Sequence, residues 1–253
     1  MAQEKTVAGK PDYGIDAPAV LRNLFIFGAL CLAAGFLVPH SVKVGSAIFK
    51  PVPMFIGTGI ILLIEGFLYL VYVKIGKLKH RDYMLSLHAW SGDERVLDVG
   101  CGRGLLLAGA AKRLTTGQAV GIDVWSSEDM KGNSPEATLH NLRIEGVSER
   151  CEVLSQRAET MEFADGSFDV VVSNLCLHNI YDKAVRTKAL GEIARVLRPG
   201  GVALLSDYKL TGEYGKKLSS MGFAVERRRN WRDCMVTFPP LAVVVAYRPV
   251  AAS

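Results

Sequence analysis

The densest chemistry in the chain lies between Val96 and Gly104, in the run VLDVGCGRG. An apolar strand-like stretch leads into three glycines spaced by two, Gly100, Gly102 and Gly104, and then into the helix-like LLLAGAAKRL. Glycines so placed let the chain turn sharply and bring its backbone, here including Cys101, close to a ligand. A dinucleotide fingerprint would need a further glycine at 105, where Leu105 stands. Asp98 instead precedes the first glycine by two residues and gives DxGxGxG. An acid facing such a loop suits a ligand with a cationic amino-acid end. It opposes a pyrophosphate, which wants helix N-terminal N–H groups without a competing carboxylate. One strand later, GIDVW places Asp123 at a strand end, where a carboxylate can accept two hydrogen bonds from a ribose diol.

These residues need a scaffold, and the chain from Arg81 onward supplies one. Short β-type runs cover 95–100, 119–124, 151–154, 168–174, 201–207, 223–229 and 241–247. Helical stretches fall near 104–114, 134–146, 183–197 and 212–221. Such alternation implies an α/β fold, a mainly parallel sheet covered on both faces. The last two strands are linked by NWRDCMVTFPP, with no long helix, which suits an antiparallel return. The expected architecture is therefore a Rossmann-like seven-stranded sheet with a reversed terminal strand. Ligands in such sheets sit at the carboxyl ends of the strands, where the strand order reverses. Ser134 and Pro135 read as the N-cap and first residue of a helix.

The chain has 253 residues, room for one domain of roughly 150–180 plus something more. Mean hydropathy is +0.21, high for a soluble enzyme. The excess sits in the first third. Residues 1–18 are polar and carry Pro11, Gly14 and Pro18, which reads as a flexible tail. Leu24–Val38 then has no charge, and Val52–Val73 has one, Glu65. A helix crosses a bilayer with about 20 mostly apolar residues; the first stretch reaches that with help from 19–23, Arg22 snorkelling to the headgroups. The long preceding tail and the second span argue against a cleaved signal peptide. Apolar residues run all round both stretches, unlike core helices with a polar face. Residues 19–78 are thus expected to form a transmembrane hairpin and 79–253 the α/β domain. Lys5, Lys10 and Arg22 precede the pair and Lys74, Lys77, Lys79 and Arg81 follow it, with only Lys43 and Lys50 between. That bias places both ends in the cytoplasm. Glu65 is either a functional group inside a span or a carboxyl bonded to the partner helix or near an interface. The five cysteines include no CxxC pair, which leaves no case for a disulfide framework or a metal site.

Residues from about 90 to 248 resemble a class I S-adenosylmethionine (SAM)-dependent methyltransferase of the group that includes small-molecule and quinone-methylating enzymes. VLDVGCGRG matches its glycine motif and GIDVW its ribose-binding acid; QRAETMEFADGSFDVVVSNLCLHNI and EIARVLRPGG resemble the stretches leading to the fourth and fifth strands. The resemblance implies SAM as cofactor. Gly100 and Gly102, with Cys101 and Asp98, would approach its amino-acid portion. Asp123 and Val124 would hold the ribose, Ala158 and Glu159 would lie by the adenine, and Asn174 would end the fourth strand beside the site. Family members often carry an acid before that alanine, but here Arg157 stands, which cannot accept a hydrogen bond.

Methyl transfer from a sulfonium is an in-line displacement, helped by a base when the acceptor carries a proton. Candidates after the fourth and fifth strands are Asn174, His178, Asn179, Asp207 and Tyr208. His178 is the best proton acceptor by intrinsic pKa; alternatively it caps or packs against the next helix, and Asp207 binds backbone at a strand end. Trp125 and Trp231 are candidate pocket walls or plain packing residues. The loop within 129–142 is unusual, without a role read from it. The expected partners are a membrane and a hydrophobic small molecule or lipid: a quinone precursor, phospholipid headgroup, sterol-like lipid or lipophilic thiol. A protein methyltransferase and a non-catalytic SAM-binding membrane protein are the alternatives. Arg227–Arg229 alone make no case for nucleic acid.

Overall fold

A computed structural model describes residues 9–127, 130–229 and 240–250. Two long helices come first, α1 (Pro18–Leu37) and α2 (Pro51–Val71). A two-stranded hairpin, β1 (Val42–Val44) and β2 (Ala47–Phe49), joins them through the Gly45–Ser46 turn. Only 11% of either apolar window is buried, and Phe27, Phe36, Ile61 and Phe67 point outward. A core helix of a soluble protein would be covered; these two are long and apolar enough to cross a bilayer. They touch each other through small residues. A Cβ on Gly59 would stand 2.8 Å from Leu32 and 2.9 Å from the Gly28 carbonyl oxygen, and one on Gly35 2.6 Å from Ile56. Close backbone approach of this kind is how helices associate where no hydrophobic effect drives them together.

α2 does not end at the edge of the apolar stretch. It passes through a π-helical turn, Tyr72–Gly76, into α3 (Lys77–Ser86), a helix not expected from the sequence. Met84 and Leu85 of α3 are fully buried in the α/β core, so the hairpin is joined to the domain by continuous helix rather than a linker.

The rest alternates as expected: β3 (Arg95–Val99), α4 (Leu105–Ala111), β4 (Gln118–Asp123), α5 (Pro135–Ile144), β5 (Cys151–Ser155), β6 (Phe168–Asn174), α6 (Lys183–Val196), β7 (Leu197–Asp207), α7 (Thr211–Ser220), β8 (Ala224–Arg228) and β9 (Ala242–Tyr247). Ser134 caps α5 by accepting from the Ala137 N–H at 3.2 Å, with Pro135 in the first turn. The seven strands form one sheet in the order β5-β4-β3-β6-β7-β9-β8, with β9 antiparallel to both neighbours. β7 begins earlier than the sequence suggests because Leu197 pairs with Phe168 across an irregularity.

Period-two alternation splits the central strands between two cores. Leu97, Val171, Leu205 and Val244 face α6 and α7, while Val96, Val170, Leu204 and Val243 face α3 and α4. Covered on both sides, these strands read as unbroken apolar runs. The strand order reverses at β3, which pairs with β4 on one side and β6 on the other. The glycine loop leaves the sheet at that point.

Candidate active site

The loop after β3 is held by its neighbours before any ligand arrives. The N–H groups of Gly100 and Cys101 donate to the Ile122 carbonyl at 2.8 and 3.0 Å. The Gly102 N–H donates to Asp123 Oδ2 at 2.8 Å, and the Gly102 carbonyl accepts from Thr138 Oγ1 at 2.6 Å. Gly100 has φ +74°, and a Cβ there would lie 2.1 Å from Cys176 Sγ, so no other residue fits unchanged.

Asp123 ends β4 with its carboxylate fixed by three donors: Gly102 N–H, Trp125 N–H at 2.7 Å and Asn133 Nδ2 at 3.2 Å. Trp125 has φ +60° and donates its indole N–H to Ser155 Oγ at 2.7 Å. It tethers the loop and does not wall the main cleft. Trp231, the other candidate wall, lies outside the described residues.

Asp98 is 1% exposed, and its Oδ2 has no hydrogen-bond partner among the described residues. Burial, with the Asp123 charge nearby acting in the same direction, pushes its pKa up to about 8. Asn174 Oδ1 is likewise buried without a partner. Asp98, Cys101 and Asn174 line a small cavity of about 50 Å³ behind the loop, with Gly100 and Gly102 on its wall. Buried polar atoms left unpaired usually mark a missing ligand or a functional role. A ligand ammonium would satisfy Asp98, so the residues present fit the amino-acid end of SAM.

On the other side of the loop opens a cleft of about 960 Å³. Gly100, Gly102, Asp123, Val124 and Asn174 form its floor, and Ala158 and Glu159 one wall. Glu159 accepts from Arg157 Nε, so the arginine that replaces the family's acid neutralises the next one.

His178 follows β6 in a 3-10 turn, Leu177–Asn179, and lines the same cleft. Its Nδ1 lies 2.9 Å from Asp207 Oδ1. A carboxylate only accepts, so Nδ1 donates and the neutral ring presents Nε2 as the acceptor. Asp207 does not reach the cleft. It is buried behind His178 and also accepts from Tyr214 OH at 3.0 Å, Tyr208 N–H at 2.9 Å and His178 N–H at 3.3 Å. Tyr208 meets the His178 ring edge-on, centroids 4.7 Å apart, and lines the cleft.

Several site residues carry no local sequence signal. Met130 and Asn133 come from the unusual loop after β4, and Leu175, with φ +53°, from the turn after Asn174. Strained backbone of this kind gathers at functional sites. The largest surprise is the N-terminal segment. Residues 12–16, read as part of a flexible tail, lie along the glycine loop. Asp12 N–H donates to Asn141 Oδ1 at 2.9 Å, the Asp12 carboxylate pairs with Arg103 at 3.0 Å, and Tyr13 OH donates to Glu145 at 2.5 Å. Lys77 Nζ donates to the carbonyls of Tyr13 and Gly14, at 2.8 and 2.5 Å. Asp16 and Ala17 then line the main cleft, and Tyr69 OH of α2 donates to the Asp16 carbonyl.

Beyond Ala17 the cleft runs on between the helices of the hairpin. Val20 and Leu24 of α1, Glu65, Leu68 and Tyr69 of α2 and Tyr72 of the π turn line this end.

Residues 97–205 match the family model of a methyltransferase domain. A sterol 4-C-methyltransferase of Caenorhabditis elegans is 29% identical over 161 residues, 60% of this chain and 44% of that protein. The chloroplast 2-phytyl-1,4-beta-naphthoquinone methyltransferase of Arabidopsis thaliana is 30% identical over 139 residues, 53% of this chain and 51% of its own length. The chain spans about half the length of the curated relatives it matches. The crystal structure of a SAM-dependent methyltransferase from Aquifex aeolicus shares the fold, with a TM-score of 0.53 and 21% identity over 66% of this chain and 88% of that one. So does a [4+2]-cyclase, SpnF, with a TM-score of 0.57 and 16% identity over 94% of this chain and all of that one. Together the family model and the relatives support a SAM-dependent methyltransferase domain, and the fold implies SAM as its cofactor.

Proposed function

We propose that this chain is a membrane-anchored methyltransferase that moves a methyl group from SAM to a hydrophobic or membrane-associated small molecule. One observation carries the reading: the cleft that begins at the glycine loop and Asp123 ends between the two apolar helices. Residues 19–78 serve as the anchor and 79–253 as the catalytic domain. The basic flanks of the hairpin place both ends of the chain in the cytoplasm.

SAM supplies an electrophilic methyl group on a cationic sulfonium. The chain's own residues bind and orient. Asp123, held by three donors, keeps about one of its four lone-pair sites, on Oδ2, for a ribose hydroxyl. Asp98 offers its unpaired oxygen to an ammonium. Gly100, Cys101 and Gly102 bring backbone close, Val124 covers the ribose side, Ala158 and Glu159 bound the adenine, and Asn174 closes the amino-acid end. His178 takes the acceptor's proton at Nε2 where the acceptor carries one, and Asp207 sets that tautomer and stabilises the imidazolium. Tyr208 fixes the ring from its edge.

The reading is tested with the full-length protein in vesicles. SAM carrying a tritiated methyl group is offered together with total lipid extract or with aqueous extract. Label in the organic phase is the expected outcome. Label confined to protein or to water-soluble products contradicts the choice of acceptor, and no SAM binding at all contradicts the enzyme.

A further inference from the structure

The hairpin end of the cleft contains a feature that anchoring does not require. Glu65, Leu68 and Tyr69 of α2 and Tyr72 of the π turn recur at helical spacing, opposite Val20 and Leu24 of α1, and all line the cleft. Apolar packing alone would fill that face. Glu65 instead brings an ionisable group into a stretch where such groups are costly and usually functional. Among the described residues it has no hydrogen bond or ion pair, neither to α1 nor to the domain, so the alternative of a carboxyl bonded to the partner helix is not met.

The charge of the whole lining points one way. Asp16, Glu65, Asp123, Glu159 and Asp182 are acidic, and of these Asp16 pairs with Lys77, 3.6 Å away and outside the lining. Among the described residues the single cationic side chain in the lining is Arg157, and Glu159 already pairs with it. Lys209 lies over the Tyr208 ring, 5.2 Å from its centroid, and is not part of the lining. A phosphate or carboxylate headgroup entering this cleft would lose its hydration and find no free cation among the described lining residues, a penalty of the kind that excludes buried unpaired charge. An N–H or O–H headgroup would find an acceptor at every level.

We propose that the hairpin end of the cleft is the acceptor site, that it admits a lipophilic molecule whose polar head is a hydrogen-bond donor without an anionic group, as in a lipophilic amine, and that Glu65 receives that head. The inference rests on the methyltransferase reading and narrows its acceptor: phosphate-bearing lipids are excluded, and non-anionic amphiphiles are selected. The apolar tail lies along Val20, Leu24 and Leu68, and the head is steered from Glu65 toward His178. Glu65 is thus a specificity residue, since it touches the acceptor and not the cofactor.

The test is equilibrium binding to full-length protein in lipid nanodiscs with S-adenosylhomocysteine present, so that no turnover occurs and empty discs give the background. Radiolabelled dodecylamine is expected to bind saturably and dodecyl phosphate to show no saturable binding. Glu65→Gln keeps the size and removes the charge, and should weaken dodecylamine binding by about tenfold or more with S-adenosylhomocysteine affinity unchanged. Dodecyl phosphate binding as tightly as the amine, or an unchanged amine affinity in Glu65→Gln, overturns the inference. S-adenosylhomocysteine binding in the same samples separates the two levels. If it is retained, either of those results removes the acceptor assignment alone. If it is absent from the wild-type protein, the methyltransferase reading falls and the inference with it.

Discussion

Gly59 in α2 and Gly100 after β3 both stand where a methyl group would collide, with different neighbours. A Cβ on Gly59 would meet Leu32 and the Gly28 carbonyl of the facing helix. A Cβ on Gly100 would meet Cys176 across the mouth of the proposed cofactor site, and the backbone there is left-handed as well. In the hairpin, small residues hold two helices together whose outer faces are otherwise uncovered. In the domain, a two-sided apolar core already holds the sheet, and glycine instead keeps space open. The two regions are therefore stabilised by separate means, and residues of both line the cleft. Mutations in one should spare the other, except at residues lining that cleft.

The largest break in the comparison comes from the paired glycines. Gly100→Ala should weaken SAM binding by about 100-fold or more, because both the turn and the clearance are lost. Gly59→Leu should separate α1 from α2, read as loss of cross-linking between cysteines placed on the two helices. SAM affinity there should stay within about twofold, as for distant independent sites. If Gly59→Leu abolishes SAM binding, the two regions are not energetically separate.

Next comes His178→Ala, expected to lower label transfer by about 10²-fold with SAM affinity unchanged. Asp207→Asn should act in the same direction, since it loses the carboxylate that sets the tautomer. Added imidazole should restore part of the rate in His178→Ala alone. A full-rate His178→Ala enzyme leaves positioning as the source of catalysis.

Asp123→Ala should weaken SAM binding by about 1.5–3 kcal/mol, the range for a hydrogen bond to a charged group, measured by calorimetry. The loop loses its Gly102 tether in the same variant, so Asp123→Asn, which can still accept, should fall in between. An unchanged dissociation constant would move the ribose elsewhere.

The smallest effect is on pH. Asp98 is pushed up to about 8 in the folded protein without ligand, above its ordinary value near 4. The folded state therefore holds a proton there that the unfolded chain has lost, and stability falls as pH rises from about 4 through 8. A bound ammonium favours the carboxylate, so SAM binding releases that proton. Affinity should rise from pH 6 to 7.5, and binding heats should vary with the buffer's ionisation enthalpy. Both trends should vanish in Asp98→Asn.

What the sequence makes legible follows the range of the interactions. The glycine run, the acid ending the next strand and the Ser134 cap show as local motifs, although the bond that ties Gly102 to Asp123 spans 21 residues, and strand–helix alternation sets the sheet. The two apolar stretches announce themselves by composition. The pairing of His178 with Asp207 spans 29 residues and needs the register of β6 against β7. The binding of Asp12 to Asn141 spans 129 residues, and nothing in a polar tail foretells it. Glu65 stood out as an acid in an apolar stretch; its place in the same cleft as Asp123 emerges only when α2 is seen to continue through its π turn into the domain.

That shared cleft is most directly tested by surface dilution. The protein is reconstituted in vesicles made from the accepting lipid extract, with the bulk amount of extract constant and increasing synthetic phosphatidylcholine added. If the acceptor enters from the bilayer between α1 and α2, the initial rate of label transfer must fall in proportion to the acceptor's mole fraction in the membrane. A rate that follows bulk concentration and ignores dilution would mean that the acceptor arrives from water, and the hairpin would then be an anchor alone.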